Sequence, residues 1–154
     1  MTTLQASVTE KVAARPDDLF ERITDIGRLP EWNEHIHHVV EAPGRLGEGS
    51  EWVVEMRAMG SKWNSRSEFA ECDPAERRFA YVTRTDDGNP SRAYWTWVLS
   101  PVENGTQVTV KWELHPKTFW RKTLFARIRH RQLKNEVRTS IGAVAAAVAA
   151  RPGA

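Results

Sequence analysis

Apolar and polar residues alternate through most of the chain, the period of strands with one buried face. Leu4, Ala6, Val8 and Val12 stand apart from Gln5, Ser7, Thr9 and Lys11, with Glu10 the one interruption. The alternation returns over His37–Ala42. Over Glu51–Met59 it sets Trp52, Val54 and Met56 against Glu51, Glu55 and Arg57. Lys62–Cys72 sets Trp63, Ser65, Ser67 and Phe69 against Lys62, Asn64, Arg66 and Glu68. Arg78–Thr85 places Phe79, Tyr81 and Thr83 together. Arg92–Leu99 does so with Ala93, Trp95, Trp97 and Leu99, and Thr106–Leu114 with Val108, Val110, Trp112 and Leu114. Breakers separate the runs: Pro43-Gly44, Gly60-Ser61, Asp73-Pro74, Asp86-Asp87-Gly88-Asn89-Pro90 and Asn104-Gly105.

Three segments have the helical period instead. Arg15-Pro16-Asp17-Asp18 opens a helix, because proline is tolerated in a first turn and acids suit its positive end. Leu19, Phe20 and Ile23 form its stripe, and Gly27 is expected to end it. A second short turn over Leu29–Glu34 carries Trp32 inward. His115-Pro116 stops the last strand. From Thr118 to Ala149, Leu124, Ile128, Val137, Ile141, Val144 and Val148 recur at steps of three or four, with Arg129-His130-Arg131-Gln132 interrupting the stripe. The predicted order is strand, two short helices, six strands and one long helix. Short turns make the strands an antiparallel meander of about seven. Curling that sheet around the helix buries both apolar faces, giving an α+β domain over 1–150 with a loose tail at 151–154.

Composition narrows the function. The chain has 154 residues, 40% hydrophobic and 27% charged, which suffices for one core. Its seven Trp against two Tyr suggest an aromatic wall as well as a core. Cys72 is the single cysteine, which fits a reducing, cytoplasmic location. Met1–Glu10 lacks a secretory pattern, and no run approaches the roughly 20 apolar residues of a membrane span. The net charge of +2 conceals a basic run of Arg121, Lys122, Arg127, Arg129, Arg131, Lys134 and Arg138. No aromatic–basic interleaving accompanies it, so a solvated helix face is expected and no nucleic-acid partner. Phe119, Trp120 and Phe125 beside it could form a lip at a cavity mouth.

The element order and several local motifs resemble the START-like superfamily, also called SRPBCC, which includes bacterial polyketide cyclases and lipid-binding proteins. The resemblance rests on Ala14-Arg15-Pro16-Asp17-Asp18-Leu19-Phe20, on Thr24-Asp25-Ile26-Gly27-Arg28-Leu29-Pro30-Glu31-Trp32, on Gly47-x-Gly49 before a Trp-bearing strand and on Gly105-Thr106 before the last one. It covers nearly the whole chain. It implies a helix-grip fold with a deep cavity between helix and sheet. Trp95-Thr96-Trp97 is similar to an aromatic–Thr–aromatic segment lining the pocket of the aromatase/cyclase branch. The superfamily has no invariant catalytic set to transfer.

Strand parity puts Trp52, Trp63, Phe69, Tyr81, Trp95, Trp97 and Trp112 on the concave side with Ser65, Ser67 and Thr83; Leu124 and Ile128 of the helix complete the expected ligand-binding set. A hydrophobic small molecule, lipid-like or polycyclic aromatic, is the expected partner. A cyclase/dehydratase acting in the same cavity is the alternative. That alternative needs a titratable group inside, and the strand carboxylates Glu51, Glu55, Glu68 and Glu113 all fall on the outer face. His35, His37 and His38 are expected to be exposed loop histidines. His35 and His37 would share a face, but no further ligands accompany them. No metal, no cofactor and no stable membrane insertion are expected, and a homodimer is the one self-association kept open.

Overall fold

A computed structural model of the chain describes residues 4–58, 60–85, 92–115 and 120–149, with the side chains of Leu4, Ala58, Thr85 and residues 120–131 outside that description. Seven strands are formed: β1 (Leu4–Val12), β2 (Ile36–Glu41), β3 (Glu51–Ala58), β4 (Ser61–Asp73), β5 (Arg78–Thr85), β6 (Arg92–Val102) and β7 (Gly105–His115). Helix α1 (Pro16–Thr24) and a 3₁₀ segment (Ile26–Glu31) lie between β1 and β2, and α2 (Trp120–Ala149) follows β7. All pairings are antiparallel, in the order β1-β7-β6-β5-β4-β3-β2. This is the predicted meander, with β1 crossing over to pair with β7.

Pro16 and Asp17-Asp18 begin α1, and Leu19, Phe20 and Ile23 are buried. The helix ends before Gly27, however. Its cap is Asp25, Thr24 Oγ1 donates back to Phe20 O at 2.8 Å, and Gly27 lies inside the 3₁₀ segment. That tighter turn carries Leu29 and Trp32 into the core. Among the described side chains of α2, Leu133, Val137, Ile141 and Val144 are buried. Leu133 resumes the stripe directly after the polar interruption. Leu124 and Ile128, the lip aromatics, and the basic side chains before Gln132 lie outside the described side chains.

Helix α2 packs on β1, on β7 and on α1, while the 3₁₀ segment packs on β2. Helix α1 packs on β6 as well, and among the described residues the helices make little contact with β3 to β5. No helix among the described residues is long and apolar enough to cross a membrane.

At the β6–β7 turn Asn104 takes a left-handed backbone (φ 62°), and Gly105 sits so close to β1 that an added Cβ would collide with the Val12 carbonyl. Thr106 Oγ1, next in sequence, donates to Ala14 O at 2.6 Å. We expect Gly105→Ala to cost about 3 kcal/mol, a drop of about 6–12 °C in Tm, because backbone rather than a flexible side chain must move. Asn104→Gly should leave Tm within a few degrees in the same scan.

Candidate functional site

Register places the concave residues in rows across the sheet. Trp52, Ser67, Thr83, Ala93 and Leu114 form one row; Phe69, Tyr81, Trp95 and Trp112 form the next; Phe79, Trp97 and Val110 form a third. Over the middle strands lies a cavity of about 280 Å³. Eight of the expected residues line it: Trp52, Trp63, Ser65, Ser67, Tyr81, Thr83, Trp95 and Trp97. Phe69 and Trp112 occupy the concave face as expected but are not part of the lining. Trp112 is 2% exposed and lies behind Trp95, with ring centroids 5.7 Å apart. Phe69 packs against the core at the β4 bulge, where the register with β5 shifts between Phe69 and Glu71.

The aromatic wall is held by its own contacts. Tyr81 lies against Trp52 (5.6 Å), Phe79 (5.1 Å) and Trp95 (6.5 Å). Trp97 meets Trp32 edge-on at 6.0 Å. Two indoles satisfy their polar atoms across the sheet: Trp97 Nε1 donates to the Tyr81 hydroxyl at 3.2 Å, and Trp95 Nε1 to Thr83 Oγ1 at 3.1 Å. These bonds fix ring orientation in a wall that dispersion alone would leave free to rotate. Trp32 Nε1 is buried with no hydrogen-bond partner among the described residues.

A polar end was not legible from strand parity. Asn33, His35, Glu136 and Ser140 also line the cavity. His35 is therefore not an exposed loop residue. Its side chain is 22% exposed, with Nε2 3.9 Å from Glu136 Oε1 and 3.7 Å from Glu34 Oε1. None of Glu51, Glu55, Glu68 and Glu113 lines the cavity, but α2 delivers a carboxylate through Glu136. The signal available in sequence was the spacing of Leu133, Glu136, Val137 and Ser140 on one helical face.

The histidine cluster is rearranged too. A register shift between Ile36 and His38 puts His37 and His38, not His35 and His37, beside one another. Their ring nitrogens and a Glu55 carboxylate oxygen lie within 4.8 Å of one another on the outer face. Arg57 Nε at 3.2 Å and Lys62 Nζ at 4.0 Å already engage that carboxylate, an arrangement that opposes a cation. Desolvation pushes the Glu55 pKa up, but Arg57, Lys62 and the two histidines outweigh it and the net shift is downward. Cys72 is partly buried against the core; desolvation, then Asp73, raises its thiol pKa, so it is no activated nucleophile.

Desolvation pushes the Tyr81 hydroxyl up to about 12, opposed in part by the Trp97 hydrogen bond. The folded state then holds a proton that the unfolded chain releases near pH 10. Stability should fall as pH rises from about 10 towards about 12, and Tyr81→Phe should reduce that slope in denaturant titrations across this window, leaving the part that the raised Cys72 thiol contributes.

The family described as "Polyketide cyclase / dehydrase and lipid transport" matches residues 3–149. Among solved structures, the Zhui aromatase/cyclase from Streptomyces sp. R1128 superposes with a TM-score of 0.76 at 15% identity, covering 96% of this chain and 94% of that one. The di-domain ARO/CYC StfQ from the steffimycin biosynthetic pathway gives 0.78 at 17%, covering 99% of this chain and 52% of that one. Ara h 8.0201 gives 0.75 at 15%, covering 97% and 100%. These likenesses are to the helix-grip fold. No curated protein sequence matches the chain.

Proposed function

Because the chain belongs to the polyketide cyclase/dehydrase and lipid transport family, we propose that its cavity binds a flat hydrophobic small molecule, lipid-like or polycyclic aromatic. The observation that carries this reading is the wall of Trp52, Trp63, Trp95 and Trp97 facing about 280 Å³ of space. That volume lies just below the roughly 300–1,000 Å³ range of ligand pockets, which suits a compact ring system. A ligand losing about 200 Å² of apolar surface gains about 5 kcal/mol at about 25 cal/mol per Å², before the costs of association. The hydroxyls of Ser65, Ser67, Tyr81 and Thr83 supply orientation. A cytoplasmic location belongs to the same reading and is supported by the lone, unpaired Cys72.

One observation favours a second reading, a cyclase- or dehydratase-like enzyme. His35 and Glu136 face the same cavity within 3.9 Å of each other. A carboxylate can take a proton from carbon beside a carbonyl while an imidazolium delivers one to a departing hydroxyl, releasing water. Under that reading Glu136→Gln removes turnover of a hydroxyketone substrate while leaving its affinity within about twofold.

Binding is tested by following tryptophan fluorescence during titration with a panel of polycyclic aromatics and fatty acids. Trp63 is only partly buried, so Trp63→Ala should weaken the best ligand by about tenfold while shifting Tm by only a few degrees. Equal damage to stability and affinity would identify the aromatic wall as a filled core.

A further inference from the structure

We infer that the cavity selects ring systems bearing an oxygen acceptor, a ketone or quinone-type carbonyl, through the hydroxyl protons of Tyr81 and Thr83. The inference rests on the binding role proposed above and adds to it the ligand's polar chemistry and the residues that read it.

A hydroxyl offers one donor and two acceptor sites. In both residues the oxygen already accepts an indole N–H, from Trp97 at 3.2 Å and from Trp95 at 3.1 Å. Each hydroxyl is left with its proton and one lone pair. Among the described residues, no acceptor receives either proton. The two needs are unequal, since a buried donor left unmade is rarer and costlier than an under-used acceptor. Donation by the indole also polarises each O–H bond, making the hydroxyl a stronger donor. Tyr81 stays protonated far above neutrality, so it serves as a donor rather than a base.

Placement makes the pair usable. Tyr81 and Thr83 are two residues apart on β5, on the same face, and both line the cavity. Trp95 faces Tyr81 across the β5–β6 ladder, and Ser67 faces Thr83 across β4–β5. A flat ring lying along Trp95 thus meets a row of hydroxyls at its edge. The charged acceptor of the cavity, Glu136, comes from α2 beside His35, not from this row.

The test compares 9-fluorenone with fluorene, which share a ring frame and differ in one carbonyl, by isothermal titration calorimetry. The wild-type protein should bind 9-fluorenone about tenfold more tightly, the ratio that one net hydrogen bond yields. Tyr81→Phe or Thr83→Val should cut the ratio about fivefold or more, the ratio being the readout because loss of an indole's partner also shifts the affinity for fluorene itself. Thermal scans confirm that each variant is folded, and the two variants report independently should one of them be destabilised. An unchanged ratio in both folded variants overturns the inference while leaving the cavity reading intact. Tighter wild-type binding of fluorene, or of 2-aminofluorene over 9-fluorenone, overturns it as well. Binding of none of the three overturns the inference; the cavity reading falls with it only if the fatty acids and the other polycyclic aromatics of the fluorescence panel also fail to bind.

Discussion

Seven antiparallel strands about 4.8 Å apart make a concave face nearly 30 Å wide, and one helix is only about 10–12 Å across. Among the described residues α2 covers the β1 and β7 side, α1 reaches β6, and the 3₁₀ segment covers β2. What lies between must be filled by side chains or left open. The chain answers with large aromatics on β3 to β6, and even these do not close the space completely. The cavity is thus a consequence of the mismatch in width between sheet and roof.

A second constraint follows from filling a wall with tryptophan. Each indole carries a donor that must be satisfied when buried. Trp95 and Trp97 meet this demand with hydroxyls on the neighbouring strand, Thr83 and Tyr81. The bonds run across the ladder and lock the rings at a fixed angle. The same wall is apolar enough to attract a ligand and ordered enough to orient it. The polar end formed by His35 and Glu136 stands on different elements, a turn before β2 and the middle of α2. Binding and any acid–base chemistry are accordingly housed on separate parts of the fold.

Strand parity made the concave wall readable from sequence, because a period of two leaves only two choices per strand. It read Trp52, Trp63, Ser65, Ser67, Tyr81, Thr83, Trp95 and Trp97 as a group, and all of these line the cavity. Parity carries no depth, which is why Trp112 and Phe69 share the face without reaching the space. It also fails at bulges: the shift between Ile36 and His38 gathers His37 and His38 and leaves His35 to turn towards α2. Glu136 escaped notice because a helix flank next to an apolar stripe resembles a solvated face until its rotation is known. The end of α1 was misplaced because a 3₁₀ segment carries the chain through Gly27 instead of stopping there.

The central claim is that a hydrophobic small molecule occupies the space the roof leaves open. It is tested most directly by mass spectrometry of the organic extract from freshly purified, non-denatured protein, beside a Trp63→Ala sample prepared identically. The account predicts a flat hydrophobic species near one equivalent in the first and markedly less in the second. The same recovery from both, or nothing from the wild-type protein even after incubation with excess polycyclic aromatic ligand, would contradict it.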